Sequence, residues 1–203
     1  MPQVDFAKRS LVCKIVYYGP GLGGKTTNLK YLHQNLPSTV RGQLMSLQTE
    51  SERTLFFDFF PAALGKVGNF DIRLHFFSVP GQSFYNATRK SLLQNVDGLV
   101  FVADSQESRM DANIDSLENL QDNLLGLSRS LQTIPHVVQY NKRDMPRIIS
   151  LDEMRAELNP HNAPDFEAVA SKGEGVFETQ RQIVKNVLAR VQQLVAPQTT
   201  AQG

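Results

Sequence analysis

Between residues 11 and 18 the chain reads LVCKIVYY, an almost unbroken apolar run closed by Gly19, which fits a strand covered on both faces. Lys25 to about Gln34 follows with helical spacing, Leu29 and Leu32 pointing inward. TLFFDFF (54–60) and FDIRLHFF (70–77) are aromatic-rich strands, and the ALGKVGN between them reads as a hairpin turn. DGLVFVAD (97–104) is another buried strand. Ile114, Leu117, Leu120, Leu124 and Leu127 give residues 111–127 a helical period. PHVVQY (135–140) predicts a strand, FEAVAS (166–171) a weaker one, and 176–195 a closing amphipathic helix. Strands that alternate with helices predict an α/β fold: a mainly parallel six- to seven-stranded sheet, helices on both faces and one antiparallel edge hairpin. Ligands of such sheets sit at the C-terminal ends of the strands.

Composition narrows the class. The chain has 203 residues, enough for one sizeable domain, expected over 1–196 with a polar, disordered tail at 197–203. Lysine and arginine total 21 against 20 acidic residues, a balance that argues against a nucleic-acid coat or a polybasic membrane patch. The single cysteine, Cys13, lies in the first apolar run and reads as a buried strand residue, so the reducing cytoplasm is the expected compartment. No signal-type segment, apolar stretch of ~18 residues or lipidation motif is visible, so no direct membrane anchor is expected. His33, His75, His136 and His161 show no metal-ligand spacing and read as packing or surface residues.

Candidate chemistry begins directly after the first strand. GPGLGGKT (19–26) matches G-x-x-x-x-G-K-[ST] and opens a helix, the context that gives this pattern its meaning. The nucleotide-binding candidates here are Gly19, Pro20, Gly21, Leu22, Gly23, Gly24, Lys25, Thr26 and Thr27. The glycines let backbone N–H groups close around phosphate oxygens, and the helix adds its positive dipole end. Lys25 neutralises the β- and γ-phosphates, and the Thr26 hydroxyl is a candidate Mg²⁺ ligand. NKRD (141–144) follows the strand PHVVQY, where a base would lie. Asp144 can accept hydrogen bonds from guanine N1–H and its 2-amino group, which adenine cannot offer. Asn141 can serve guanine N7 and tie this loop to the phosphate loop, and the stem of Lys142 can cover the ring face.

With KIVYYGPGLGGKTTNLKYL, RTLFFDFFP, VPGQ with its following FYNATRK, DGLVFVADS, QYNKRD and EGVFET, the chain resembles Ras-superfamily small GTPases over residues 11–195. It is most similar to the bacterial MglA-type cell-polarity and motility GTPases. The resemblance implies that the backbone N–H of Ala170, within Val169, Ala170 and Ser171, contacts guanine O6. It implies that the N–H of Gly81 meets the γ-phosphate and that Gln82 orients the attacking water. Thr54 becomes the candidate that contacts Mg²⁺ and the γ-phosphate, with Thr49 as runner-up. Arg53 becomes a built-in arginine finger, inserted when a partner reshapes the loop, worth roughly 10³–10⁵ in rate.

One departure stands out. Ser78 of SVPGQ occupies the place where small GTPases carry a Mg²⁺-holding aspartate. Asp58 lies on the apolar face of its strand with Phe56 and Phe60, where an unpaired carboxylate is costly. Two readings follow: a substitute Mg²⁺ group, or a carboxylate satisfied by a basic or backbone partner. Residues 37–53 take the place of the first switch and form a long connection. Phe84 and Tyr85 fall in the second, and FFDFF reads as core or as a partner-binding edge.

The function expected is a GTPase switch, a monomer by itself that binds GTP or GDP with Mg²⁺ and hydrolyses GTP slowly. The resemblance supplies the partners: an activating MglB-type dimer of the roadblock fold, an exchange factor, and polarity or motility effectors at a cell pole. The alternative is a GTP-dependent interaction module with negligible hydrolysis, which Ser78 favours and Gln82 and Arg53 oppose. A phosphotransferase would need an arginine-rich lid and leaves NKRD unexplained.

Overall fold

The computed structural model describes residues 2–47, 57–81 and 85–195. Its frame is an eight-stranded sheet with five helices, in the order β1 Gln3–Asp5, β2 Ser10–Tyr18, α1 Lys25–Asn35, β3 Met45–Leu47, β4 Phe57–Val67, β5 Phe70–Ser78, α2 Asn86–Leu93, β6 Gly98–Asp104, α3 Met110–Leu125, β7 His136–Asn141, α4 Leu151–Leu158, β8 Asp165–Glu167 and α5 Val176–Val195. Across the sheet the strands run β3-β4-β5-β2-β6-β7-β8, and β1 pairs with the start of β2. The pairs β5–β2, β2–β6, β6–β7 and β7–β8 are parallel, while β3–β4, β4–β5 and β1–β2 are antiparallel. This is the α/β class expected from the sequence, with the short strands β1 and β3 added.

The unbroken apolar runs are explained by two cores. Leu11, Cys13, Ile15 and Tyr17 of β2 face α1 and α5, where Leu29, Leu32, Ile183 and Val187 cover them. Val16 and Tyr18 face the other way, toward Leu93 of α2, Leu120 of α3 and Met154 of α4. A strand buried on both faces has no polar side to show, so its sequence cannot alternate. Cys13 is fully buried as read, and burial pushes its thiol up to about 12.

Several boundaries differ from the sequence reading. ALGKV belongs to β4, which runs on to Val67, and the turn is only Gly68 and Asn69. A register shift between Ala63 and Gly65 keeps this glycine-bearing stretch paired despite its turn-like composition. Within residues 37–47 of that connection, Arg41 bridges Ala62, and β3 pairs Met45, Ser46 and Leu47 with Phe59, Asp58 and Phe57. β8 stops at Glu167, leaving Val169–Ser171 as a loop. Helix α4 carries a sequence signal that the apolar period alone did not reveal. Ser150 caps it by accepting from the Glu153 N–H at 3.3 Å, an S-x-x-E start. Among the described residues, no helix is long and apolar enough to cross a membrane.

β2 lies between β5 and β6, and its helix leaves on one face while α2 and α3 cover the other. The loops after β2, β5, β6 and β7 therefore meet along one edge, at the point where a doubly wound sheet binds its ligand.

Candidate functional site

The phosphate loop spans Gly19 to Gly24, and its backbone is set by close approaches. Gly24 has φ 101°, and a Cβ there would lie 2.1 Å from Asn141 Nδ2. Gly81 has no room either: its Cβ would meet Gly21 Cα at 2.3 Å and Gly21 N at 2.7 Å. Lys25 at the head of α1 is buried, and its Nζ donates to Gly19 O at 2.8 Å and Pro20 O at 2.6 Å. Burial, and then the nearby Arg89 and Arg109, pull the Lys25 pKa from its ordinary 10.5 to about 7. Arg109 Nη2 donates to Gly21 O at 2.7 Å. Arg89 donates through Nε to Pro80 O at 2.8 Å and through Nη2 to Gly81 O at 2.6 Å. Three cationic side chains crowd this backbone, and such a site favours an anion.

Lys25, Thr26, Asp58, Ser78 and Gly81 line one pocket of about 370 Å³, together with Leu22, Gly24 and Thr27. Asp58, buried on β4, lies beside Ser78. Its Oδ2 accepts the hydroxyls of Thr26 at 2.5 Å and Ser78 at 2.8 Å, and its Oδ1 accepts Ser46 at 2.7 Å. These three partners are hydroxyls, and the Lys25 ammonium acts on the same carboxylate through its charge. A hydroxyl that donates a hydrogen bond to Asp58 still has an oxygen lone pair to offer a cation. The donor set is therefore hard oxygen around one carboxylate, which fits Mg²⁺. Among the described residues, no group of three or more His, Cys, Asp or Glu could hold a metal.

The base-reading candidates are joined to the same loop. Asn141 Nδ2 donates to Gly23 O at 2.8 Å, and Asn141 Oδ1 accepts the Ala170 N–H at 2.9 Å. The tie to the phosphate loop is as read, whereas the Ala170 N–H is engaged by Asn141. Lys142 has φ 65° and its Nζ donates to Asp104 Oδ2 at 2.6 Å. Asp104 is fully buried at the end of β6, with Arg109 Nε 3.8 Å away as a second cation. Asp144 is exposed and pairs with Lys172 at 3.1 Å. Val169 is buried and Ser171 exposed in the adjoining loop. Arg53, Thr54, Thr49 and Gln82 lie outside the described residues.

The sequence profile of the ADP-ribosylation factor family matches residues 5–195. The chain belongs to this family of Ras-superfamily small GTPases. Within it, this GTPase is of the MglA type: it is 51% identical over 191 residues to the mutual gliding-motility protein MglA of Myxococcus xanthus (strain DK1622), covering 94% of this chain and 98% of that protein. It is 27% identical over 178 residues to ADP-ribosylation factor-like protein 6 of Caenorhabditis briggsae, covering 82% and 90%. It is 28% identical over 127 residues to ADP-ribosylation factor-like protein 4C of Homo sapiens, covering 59% and 63%.

Sequence reasoning did not find Ser46, Arg89, Asp104, Arg109 or Lys172 in this GTPase. Ser46 reaches Asp58 only through the β3–β4 register, and no spacing along the chain reveals a cross-strand pair. Arg109, five residues after Asp104 and beyond a strand end, could have been read as its cation, since a buried acid at that place needs one.

Proposed function

We propose that this GTPase is a guanine-nucleotide switch that binds GTP and GDP with Mg²⁺ and hydrolyses GTP slowly until a partner stimulates it. The observation that carries the reading is the single bridge made by Asn141. It binds the phosphate loop at Gly23 and the Val169–Ser171 loop at Ala170, so base and phosphate recognition share one frame.

In this reading Lys25 meets the β- and γ-phosphates, the Gly81 N–H faces the γ-phosphate, and Asp144 reads the guanine edge. Thr26 would hold Mg²⁺, with Asp58 behind it supplying the charge that Ser78 lacks and Thr54 as a second ligand. The ion would neutralise charge on the phosphate oxygens. Gln82 orients water, and Arg53 enters as the finger. The resemblance to the MglA type supports the regulators: a roadblock-fold dimer as activator, an exchange factor, and polarity or motility effectors. In this reading the protein works in the cytoplasm as a monomer and gathers at a cell pole when GTP-bound.

The test is nucleotide binding followed by stimulated turnover. Fluorescent GDP should bind in Mg²⁺ and be displaced by unlabelled GDP or GTP but not by ATP. With the activating dimer added, Arg53→Ala should lose most of the stimulation. Displacement by ATP would refute guanine specificity, and full stimulation of Arg53→Ala would refute the finger.

A further inference from the structure

Asn28, Gln139 and Thr179 are polar and fully buried, and none of them belongs to a nucleotide-binding motif. Asn28 is in α1, Gln139 in β7 and Thr179 in the first turn of α5. The two amides face each other reciprocally. Asn28 Nδ2 donates to Gln139 Oε1 at 2.8 Å, and Gln139 Nε2 returns to Asn28 Oδ1 at 3.0 Å. Gln139 Nε2 also donates to Thr179 Oγ1 at 2.9 Å. Both ends of this chain reach the loops around the site. Asn28 Nδ2 donates to Gly24 O at 3.0 Å, and Thr179 Oγ1 donates to Gly175 O at 2.6 Å.

Gln139 lies two residues before Asn141 on the same strand, so both side chains leave the same face of the sheet. Asn141 joins the phosphate loop to the Ala170 loop near the pocket, and Gln139 joins the roots of the same two loops one layer deeper. Apolar side chains would fill this interior without the desolvation that three polar groups cost. A fully satisfied buried network instead fixes one relative arrangement of the elements it joins.

We propose that Asn28, Gln139 and Thr179 form a buried positioning bridge that sets the spacing between phosphate recognition at Gly19–Thr26 and base recognition at Asn141–Asp144 and Val169–Ser171. The bridge rests on the guanine-nucleotide reading of this site. It acts through the two loops and touches no ligand. A ligand held at both ends binds tightly only when those ends are held at its own length, so the bridge governs the release of whole nucleotides.

The test is the double variant Asn28→Leu/Gln139→Met, which keeps side-chain volume and removes both amides together. It strands no partner, because Gly24 O still accepts the Asn28 backbone N–H and Thr179 Oγ1 still donates to Gly175 O. Fluorescent GDP release in Mg²⁺ is compared with the parent chain and with Val187→Ala, which loosens the α5 core without touching the bridge. The expected result is release about tenfold faster in the double variant, within the usual range for coupling between sites, and unchanged within twofold in Val187→Ala. Thr179→Val, which keeps the amide pair, should show a smaller acceleration in the same direction; it also serves if the double variant does not fold. Release within twofold of the parent in the variants that fold, or equal acceleration by Val187→Ala, overturns the bridge alone. A parent chain that binds no GDP overturns the nucleotide reading and the bridge with it.

Discussion

Asp58 and Ser78 hold each other twice: the Ser78 hydroxyl donates to Asp58 Oδ2 at 2.8 Å, and the Asp58 backbone N–H donates to Ser78 Oγ at 3.1 Å. Asp58 lies on β4, the antiparallel neighbour of the strand that leads into Gly81. It also reaches the Thr26 hydroxyl. The serine is therefore a hydrogen-bond partner of the acid.

Exchanging the two residues tests this relationship. Asp58→Ala should abolish most of the Mg²⁺ dependence of GDP affinity, measured by titration with and without EDTA. Ser78→Asp should not improve the parent chain, because it sets two carboxylates side by side and should cost about 1–3 kcal/mol of stability. The combined Asp58→Ser/Ser78→Asp chain should recover part of that loss in a denaturant titration. Unchanged Mg²⁺ dependence in Asp58→Ala would sink the assignment.

Lys25 gives a pH signature. Its pKa is held at about 7 by burial and then by the neighbouring arginines, while the unfolded chain keeps the ordinary 10.5. Between those values the unfolded chain binds a proton that the folded, nucleotide-free chain lacks. This group's contribution to folding stability therefore rises with pH across that window. A bound phosphate restores the charge on Lys25, so GDP binding at pH 8 should take up about one proton, and much less at pH 6. Calorimetry in buffers of different ionisation enthalpy reads this number directly, and equal uptake at both values would contradict it.

Substitution at Gly21 should separate binding from hydrolysis. A Cβ on Gly21 would sit 3.4 Å from Gly81 O, ordinary contact, so Gly21→Ala should fold and bind normally. Valine extends further toward Gly81 and, in the proposed reading, toward the water that Gln82 would orient. Gly21→Val should bind GTP within about threefold of the parent and hydrolyse it at least about tenfold more slowly. Normal turnover would count against the roles proposed for Gly21 and Gln82.

Arg89 is buried, forks onto Pro80 O and Gly81 O, and donates through Nη1 to Asn119 Oδ1 at 2.8 Å on α3. Lysine keeps the charge but cannot make all three contacts. Arg89→Lys should lower stability by about 1–3 kcal/mol in urea unfolding, and a loss below the error of the measurement would show that the fork is dispensable.

The parts legible in the sequence were those carried by short, local patterns. The apolar runs gave β2, β6 and β7 because strands buried on both faces need no long-range information. GPGLGGKT and NKRD were legible because glycine, lysine and acid spacing is dictated within one loop. What escaped depends on pairing between distant segments. The partners of Asp58 required the β3–β4 register and the approach of α1, so only its need for donors was readable. The extent of β4 was missed because Ala62–Val67 has the composition of a turn and is held as strand by its partner, Asp71 and Ile72 among the paired residues. The Asn28–Gln139 pair joins residues 111 positions apart and resembles two ordinary polar residues until the chain is folded.

The most direct test of the central claim is single-turnover decay of GTP by the chain alone in Mg²⁺, with ATP in parallel. Slow phosphate release from GTP is expected, clearly above buffer and lowered in Gln82→Ala, with none from ATP. GTP that binds and stays intact in the parent chain, or ATP consumed at the same rate, would contradict it.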